Sequence, residues 1–544
     1  MAHFQEVSKR SAMHPKPAGL ALEYGTAGFR SNAKHLDHIM FRMGLLATLR
    51  SKKTKAAIGV MVTASHNPEE DNGVKLIDPM GEMLSAAWED HATHLANVEQ
   101  QDLPCVLEDI VEKESIDMSQ EAIVFVGKDT RSSSDRLSQA VLDGVCALHS
   151  HNKDYGLVTT PQLHYLVCCH NTQGRYGEAS VNGYYSKLCQ AFIELTKNTP
   201  NRTDDQKHLT LDGANGIGAL KVREMERHLK GELQVSLFNH GDGQLNHQCG
   251  ADFVKVQQKL PAGIKVNAGE RCCSFDGDAD RIVYYYTDSD GHFHLMDGDK
   301  IATLISTFLK ELLIQAGLNL ELAVVQTAYA NGSSTRFLED TLKLTVRCTK
   351  TGVKHLHHVA QEFEIGVYFE ANGHGTVLFS KSAEEKIKQL ADNPNTDDGR
   401  KRSAILLCHT INVINQTVGD SIADMLLVEA VLALKGMTVQ QWDAIYTDLP
   451  NRQLKVKVSD RRVINTADAE RRAVSPAGLQ EAIDALVKNY RHARSFVRPS
   501  GTEDVVRVYA EADTQESADS LAHQVSLAVY RLAGGVGNEP KPLH

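Results

Sequence analysis

At 544 residues the chain has length for about three or four domains, and 42% hydrophobic with 23% charged residues is an ordinary globular composition. A formal net charge of −11 argues against nucleic acid or an acidic membrane as partner, although it leaves room for one local basic pocket. No stretch approaches the roughly 18 uncharged apolar residues of a membrane span, and residues 1–19 lack the apolar segment of a signal peptide. Ten scattered cysteines form no CxxC and no framework, so reduced thiols and a cytoplasmic location are expected. The sequons at Asn201, Asn331 and Asn415 are then chance matches.

A β-branched run, a polar or glycine-rich loop and an amphipathic helix recur along the chain. Residues 58–63 (IGVMVT) predict a strand running into ASHNP. Residues 122–127 (AIVFVG) predict a second, followed by KDTRSSS and a helix over about 135–148. Residues 209–211 lead into DGANGIG (212–218) and a helix to about 229. Apolar side chains at 301, 304, 305, 308, 309, 312 and 313 predict a one-sided helix with Asp299 as its N-cap. Residues 323–327 (AVVQT) open into AYANGSSTR. The charged stretch 381–402 reads as an exposed connection or ragged helix. From about 451 the pattern changes to strands (LKVKVS) and helices, a separate C-terminal domain, and the last eleven residues read as a mobile tail. No short fixed-period repeat is present. This alternation predicts α/β layers with mainly parallel sheets, in which ligands sit at the carboxyl ends of strands.

Four loops carry unusual chemistry. In Thr63-Ala64-Ser65-His66-Asn67-Pro68, small neighbours leave the Ser65 hydroxyl open and Pro68 stiffens the exit; a capped turn would use the same residues. A serine hydrolase fits poorly, because G-x-S-x-G is absent. In Asp276-Gly277-Asp278-Ala279-Asp280-Arg281, alternate carboxylates can converge on a hard cation such as Mg²⁺. An EF-hand fails there, with Arg281 at position six and Thr287 at position twelve. Arg281 suits an anion beside the metal. Arg498-Pro499-Ser500-Gly501-Thr502-Glu503 combines a glycine turn, two hydroxyls and a guanidinium fork, the elements of a phosphate nest. In residues 369–376 (FEANGHGT), Glu370 and Asn372 can bond sugar hydroxyls and His374 can bind phosphate or exchange protons.

In this order the four loops resemble the α-D-phosphohexomutase superfamily, and within it the branch acting on N-acetylglucosamine phosphate. YGTAGFR (24–30), EEDNGVK (69–75), DGANGIG (212–218), TKTGVKHL (349–356) and FVRPSGTEDVVRVYAEAD (496–513) support the likeness over nearly the whole chain. The resemblance implies an α/β protein of three related mixed α/β domains (1–180, 181–297, 298–445) plus a smaller C-terminal α+β domain (446–544) around a central cleft. It implies phosphoserine at Ser65 and one Mg²⁺ held by Ser65, Asp276, Asp278 and Asp280. Arg30 and Arg281 would flank the transferring phosphoryl group, with His66 beside it. Glu370, Asn372, Gly373 and His374 would hold the sugar, and Arg498, Ser500, Gly501, Thr502 and Arg507 the idle phosphate. Arg131 would add charge, although KDTRSS departs from the family's usual RDTRP. The expected reaction interconverts the 6- and 1-phosphates through a hexosamine 1,6-bisphosphate, supplying UDP-N-acetylglucosamine synthesis; the partner is a small phosphosugar and the chain a monomer. His66, His374, Lys75 and Lys354 are alternative bases. Competing readings are another hexose phosphate, a silent sugar-phosphate sensor, or a phosphatase with an aspartate nucleophile.

Overall fold

The computed structural model describes residues 2–199, 201–501 and 503–543. The chain forms two compact units: residues 1–297, 372–376 and 401–439 in the first, and 298–371, 377–400 and 440–544 in the second.

The first unit carries two five-stranded sheets. One runs in the order Phe29–Asn32, Asp71–Ile77, Ile58–Val62, Ile123–Lys128, His151–Leu157. The other runs Phe293–Met296, Ile282–Thr287, Cys272–Phe275, His208–Asp212, Gln234–Phe238. Across each, neighbours pair antiparallel, antiparallel, parallel, parallel. The sheets are therefore mixed rather than mainly parallel, because each motif loop is a hairpin returning beside its own strand.

Both faces of the first sheet are covered, and the period of two in its strands shows it. Ile58, Val60, Val62, Val124 and Val126 join one apolar cluster with helices Asp37–Thr54 and Ser134–Ala147. Met61 and Phe125, pointing the other way, pack with Leu163 and Val167 of helix Thr160–Asn171. The two helices on the first face touch through glycines. A Cβ at Gly44 would lie 2.2 Å from the Val141 carbonyl, and one at Gly144 2.0 Å from that of Phe41.

The second unit holds a four-stranded sheet (Thr345–Thr349, Leu322–Thr327, Ile365–Phe369, Gly375–Phe379) and an antiparallel three-stranded sheet (Asn451–Lys457, Val505–Glu511, Arg494–Pro499). On the latter, helices Leu479–Val487 and Gln515–Leu532 cover Val456, Val497, Val506 and Val508. Asp299 is not an N-cap. It lies inside helix Gly298–Ala316, buried, and accepts from the Asn331 amide at 2.9 Å. Of the two readings of residues 381–402 the helix holds: Ser380 caps helix Lys381–Asp392, which buries Ala383, Ile387 and Ala391 while most of the segment stays exposed, and Asp398–Val413 follows. The tail is anchored as well. Val536 N donates to Lys457 O, Tyr530 Oη to Gly537 O, and His523 Nε2 meets Pro540 O. Asn331 and Asn415 are buried and hydrogen-bonded, which leaves no room for a glycan at either.

Candidate active site

Strand Ile58–Val62 delivers the chain to Ser65, which is 1% exposed and adopts φ +53°. A left-handed backbone at a non-glycine residue costs on the order of 1–2 kcal/mol and persists only where its surroundings over-determine it. Here Arg131 does so. Its Nε donates to Asp129, Nη1 to Pro68 O and Asp71 O, and Nη2 to Ser65 O and Asn67 O, all at 2.5–3.0 Å. Every guanidinium N–H is thus engaged, so Arg131 shapes the serine loop and contributes no donor to a phosphate. The charge it was expected to add is paired with the Asp129 carboxylate. Asn246 adds amide bonds to Ser65 O (2.9 Å) and Asn67 O (3.0 Å).

The hairpin between Cys272–Phe275 and Ile282–Thr287 brings the aspartates to that serine. Ser65 Oγ lies 3.0 Å from Asp276 Oδ2, 2.7 Å from Asp278 Oδ1 and 3.4 Å from Asp280 Oδ1. One hydroxyl proton can satisfy only one of the three. Carboxylate oxygens of the three residues lie within 4.8 Å of one another, and all three residues are buried. Burial first, then the charges of Asp280 and Asp278, push the Asp276 carboxyl well above its ordinary range. Burial pushes Asp280 up as well, but His374, Lys75 and Arg281 outweigh it and hold that carboxyl well down. An all-oxygen, charge-dense, converging donor set fits a hard divalent cation. Lys75 Nζ stands 3.3 Å from Asp278 Oδ2 and 3.5 Å from Asp280 Oδ2.

Beside this cluster the field is positive. Arg281 Nε is 3.9 Å from Asp276 Oδ2, and its Nη1 is 3.9 Å from Asp252. Arg30 reaches Asn67 Oδ1 at 3.4 Å, while its buried Nε has no hydrogen-bond partner among the described residues. Burial, then Arg281, lower the Arg30 guanidinium. The charge of Arg281, then burial and Arg30, pull the His66 imidazole down to about 2, so it is neutral here. Two guanidiniums and a neutral imidazole around one serine suit an anion on its oxygen.

In the loop 370–374, Gly373 packs closely against Ile282. At φ +90° its carbonyl accepts from Ile282 N at 3.2 Å, and a Cβ would lie 1.9 Å from Ile282 O. Asn372 Oδ1 accepts from the amide of His374, which is buried; Glu370 is half-buried after strand Ile365–Phe369.

Within the second unit, Arg498 and Arg507 are directly paired across Arg494–Pro499 and Val505–Glu511. Like charges in that register repel, and Glu470 compensates: its Oε2 is 3.2 Å from Arg498 Nε and accepts from the amide (3.3 Å) and hydroxyl (2.7 Å) of Thr351. Asp468, Ala469 and Glu470 all have positive φ, a costly turn that aims this carboxylate. Ser500 N bonds Val505 O at 2.8 Å and Gly501 O accepts from Arg461. Thr502, expected in the same grip, lies outside the described residues, as does any statement of its contacts.

Sequence profiles of phosphoacetylglucosamine mutase AMG1 match residues 177–283 (domain II) and 297–437 (domain III). Those of phosphoglucomutase/phosphomannomutase match 45–102 and 108–181 (α/β/α domain I) and 454–528 (C-terminal domain). The phosphoacetylglucosamine mutase of Homo sapiens is 66% identical, over 98% of this chain and 99% of its own. The chain belongs to the phosphoacetylglucosamine mutase family. The Candida albicans member is 47% identical over 96% of this chain and 98% of its own. Among solved structures, an N-acetylglucosamine-phosphate mutase of the α-D-phosphohexomutase superfamily in its substrate complex superposes with a TM-score of 0.93 at 47% identity, covering 97% of this chain and 99% of that one. An Aspergillus fumigatus N-acetylphosphoglucosamine mutase complexed with GlcNAc-6P and magnesium gives 0.92 at 48%, with the same coverage.

For a phosphoacetylglucosamine mutase family member, the residues hardest to foresee are those serving the loops from outside. Thr160 Oγ1 donates to Asp278 Oδ2 at 2.6 Å, and Asn246, Ser421 and Glu470 hold backbone or guanidinium groups. Thr160 and Ser421 left local traces: Thr159–Gln162 is a capping box and Asp420 an N-cap, so helices had to begin there.

Proposed function

We propose that this chain interconverts N-acetylglucosamine 6-phosphate and N-acetylglucosamine 1-phosphate, with Ser65 as phosphoryl carrier. The observation that carries the reading is the Ser65 hydroxyl set 2.7–3.4 Å from three buried carboxylates. A hydroxyl so placed has little use in binding alone, but as a phosphate ester its oxygens would share a cation with those carboxylates.

Asp276, Asp278 and Asp280, with an oxygen on Ser65, would hold Mg²⁺, which when bound supplies charge neutralisation to the transferring phosphoryl group. The chain's own residues do the rest. Arg131 and Asn246 fix the serine carbonyl so that Oγ keeps one direction. Arg30 and Arg281 face the charge that develops on the phosphoryl oxygens. As the bond from phosphorus to Ser65 Oγ breaks, a bond to the free sugar hydroxyl forms; that hydroxyl's proton leaves to a base, and the departing Oγ takes up a proton to become the serine hydroxyl again. The bisphosphate then presents its other phosphate, which returns to Ser65. Arg498, Ser500, Gly501 and Arg507 would grip the phosphate that is not reacting, and Glu370, Asn372 and His374 the sugar. Four domains divided near residues 180, 297 and 445 fit the four larger sheets, a two-stranded sheet (Asn465–Ala467, Arg472–Ser475) falling in the last, and the cytoplasm, where UDP-N-acetylglucosamine is made, is the compartment the reading calls for.

Ser65→Ala should lower kcat/KM by about three orders of magnitude or more, on the order of 4 kcal/mol. A coupled assay with N-acetylglucosamine, glucose and mannose phosphates reads both the loss and the sugar preference. After incubation with a hexosamine 1,6-bisphosphate, intact mass should rise by one phosphate that maps to Ser65. Activity of the variant within tenfold of the parent would exclude Ser65 as carrier and favour an aspartate nucleophile.

A further inference from the structure

The three carbonyls that separate and follow the first two aspartates are each held by the first residue of a different helix. Gly277 O accepts from Ile217 N (3.2 Å), Asp278 O from Thr160 N (3.3 Å) and Ala279 O from Ser421 N (3.1 Å). Those residues open helices Ile217–Leu229, Thr160–Asn171 and Ser421–Lys435, of 13, 12 and 15 residues. The first N–H of a helix has no partner within it. Here the caps serve the next amides: Thr159 accepts from Gln162 N, and Asp420 from Ile422 N and Ala423 N. The leading N–H is left for the loop. At Gly216, a Cβ would lie 2.4 Å from Gly277 O, so only glycine permits the approach.

Two of the three helices add a hydroxyl. Ser421 Oγ donates to the same Ala279 O at 2.6 Å, and Ala279 has φ +61°. Thr160 Oγ1 donates to the Asp278 carboxylate oxygen that Lys75 also approaches, leaving Oδ1 facing Ser65. Three positive helix ends converge on a loop bearing three carboxylates, which offsets its charge before any cation arrives.

We propose that Thr160 and Ser421 are positioning residues for the metal ligands: their hydroxyls, with the three leading helix amides, set the Asp276–Asp280 loop in its cation-binding shape. This rests on the metal reading above. Partners that orient ligating carboxylates tune affinity by about 10–100-fold. Thr160→Val removes the bond to Asp278 and keeps the shape, and Thr160→Ser restores it. Ser421→Ala removes the bond to Ala279 independently.

Binding of Mn²⁺ to the full chain without sugar, followed by the electron paramagnetic resonance of the free ion, tests it. Affinity should fall tenfold or more in Thr160→Val and Ser421→Ala and stay within threefold of the parent in Thr160→Ser, while the thermal midpoint in EDTA moves little. Parent-like Mn²⁺ affinity in both Thr160→Val and Ser421→Ala would overturn the assignment. A Thr160→Val chain that fails to fold shifts the decision to Ser421→Ala, whose parent-like affinity would then suffice. A parent chain that binds no Mn²⁺ would sink the metal reading itself.

Discussion

Arg131 donates five hydrogen bonds, four of them to carbonyls of residues 65–71. Lysine keeps the charge but has three donors on a point-like head, and cannot span Asp129 and four carbonyls. Arg131→Lys should cost on the order of 2–3 kcal/mol, because the buried Asp129 loses its guanidinium and keeps only Thr63, Ser134 and a backbone amide as donors. It should also lower kcat far more than it raises KM for the phosphosugar, since the side chain has no donor left for substrate. Steady-state kinetics beside thermal unfolding separate the two roles; a rise in KM at unchanged kcat would return Arg131 to the phosphate. At this scale the sequence was most legible where chemistry is contiguous. Asp276, Asp278 and Asp280 announce themselves because carboxylates so dense repel without a cation, and Ser65 stands in a loop of small residues. Arg131 was visible as an arginine, but not its target, because its acceptors are backbone atoms that any sequence would offer.

Helices tell a different story. Residues 381–402 look unfit to pack, yet Ala383, Ile387 and Ala391 fall at intervals of four and form one narrow buried stripe. Three small apolar positions do not stand out among Lys and Glu, whereas the wide stripe of 301–313 does. Two helices of the first unit carry an acid sensitivity. His38, on helix Asp37–Thr54, is 1% exposed, and its Nδ1 has no hydrogen-bond partner among the described residues. Burial, then the charge of Arg42, lowers it to about 3. His164, on helix Thr160–Asn171, is likewise lowered to about 3, by burial. An unfolded histidine titrates near 6.5. The neutral ring therefore stabilises the fold fully above about pH 6.5, and that contribution is lost as pH falls toward 3, at up to about 1.4 kcal/mol per pH unit for each group. His38→Leu should remove its share: between pH 7 and 5 its unfolding free energy from urea titration should drop less than the parent's, by about 2 kcal/mol. Equal losses in parent and variant would show that His38 does not sense acid.

Across the whole molecule, each motif loop joins neighbouring strands of one sheet: 63–70, 276–281, 370–374 and 500–504. A hairpin loop is short and continuous, so its residues remain a readable string. The helix ends that support the aspartates start at 160, 217 and 421, and nothing local marks them as neighbours. Such support implies tension between stability and function. Asp276, Asp278 and Asp280 bring three carboxylates into a buried space around one hydroxyl, an arrangement no core would choose for stability. Asp276→Asn keeps the shape, and its Oδ1 can still accept from Asp280 N (3.0 Å) and Arg281 N (3.2 Å). Its new amide can donate to Ser65 Oγ, and the carboxyl whose charge burial, Asp280 and Asp278 disfavour is gone. In EDTA the variant should unfold at a higher temperature than the parent, by about 1–2 °C for each kcal/mol relieved in so large a unit. In Mg²⁺ the order should reverse. The parent gains about 2.7 kcal/mol when the metal stands 100-fold above its Kd, and the variant, short of one anionic ligand, gains little. Differential scanning calorimetry with and without Mg²⁺ reads both halves. A variant less stable than the parent in EDTA would mean that the carboxylates repay their mutual repulsion through hydrogen bonds to the loop amides, and that the loop is not strained by its charge.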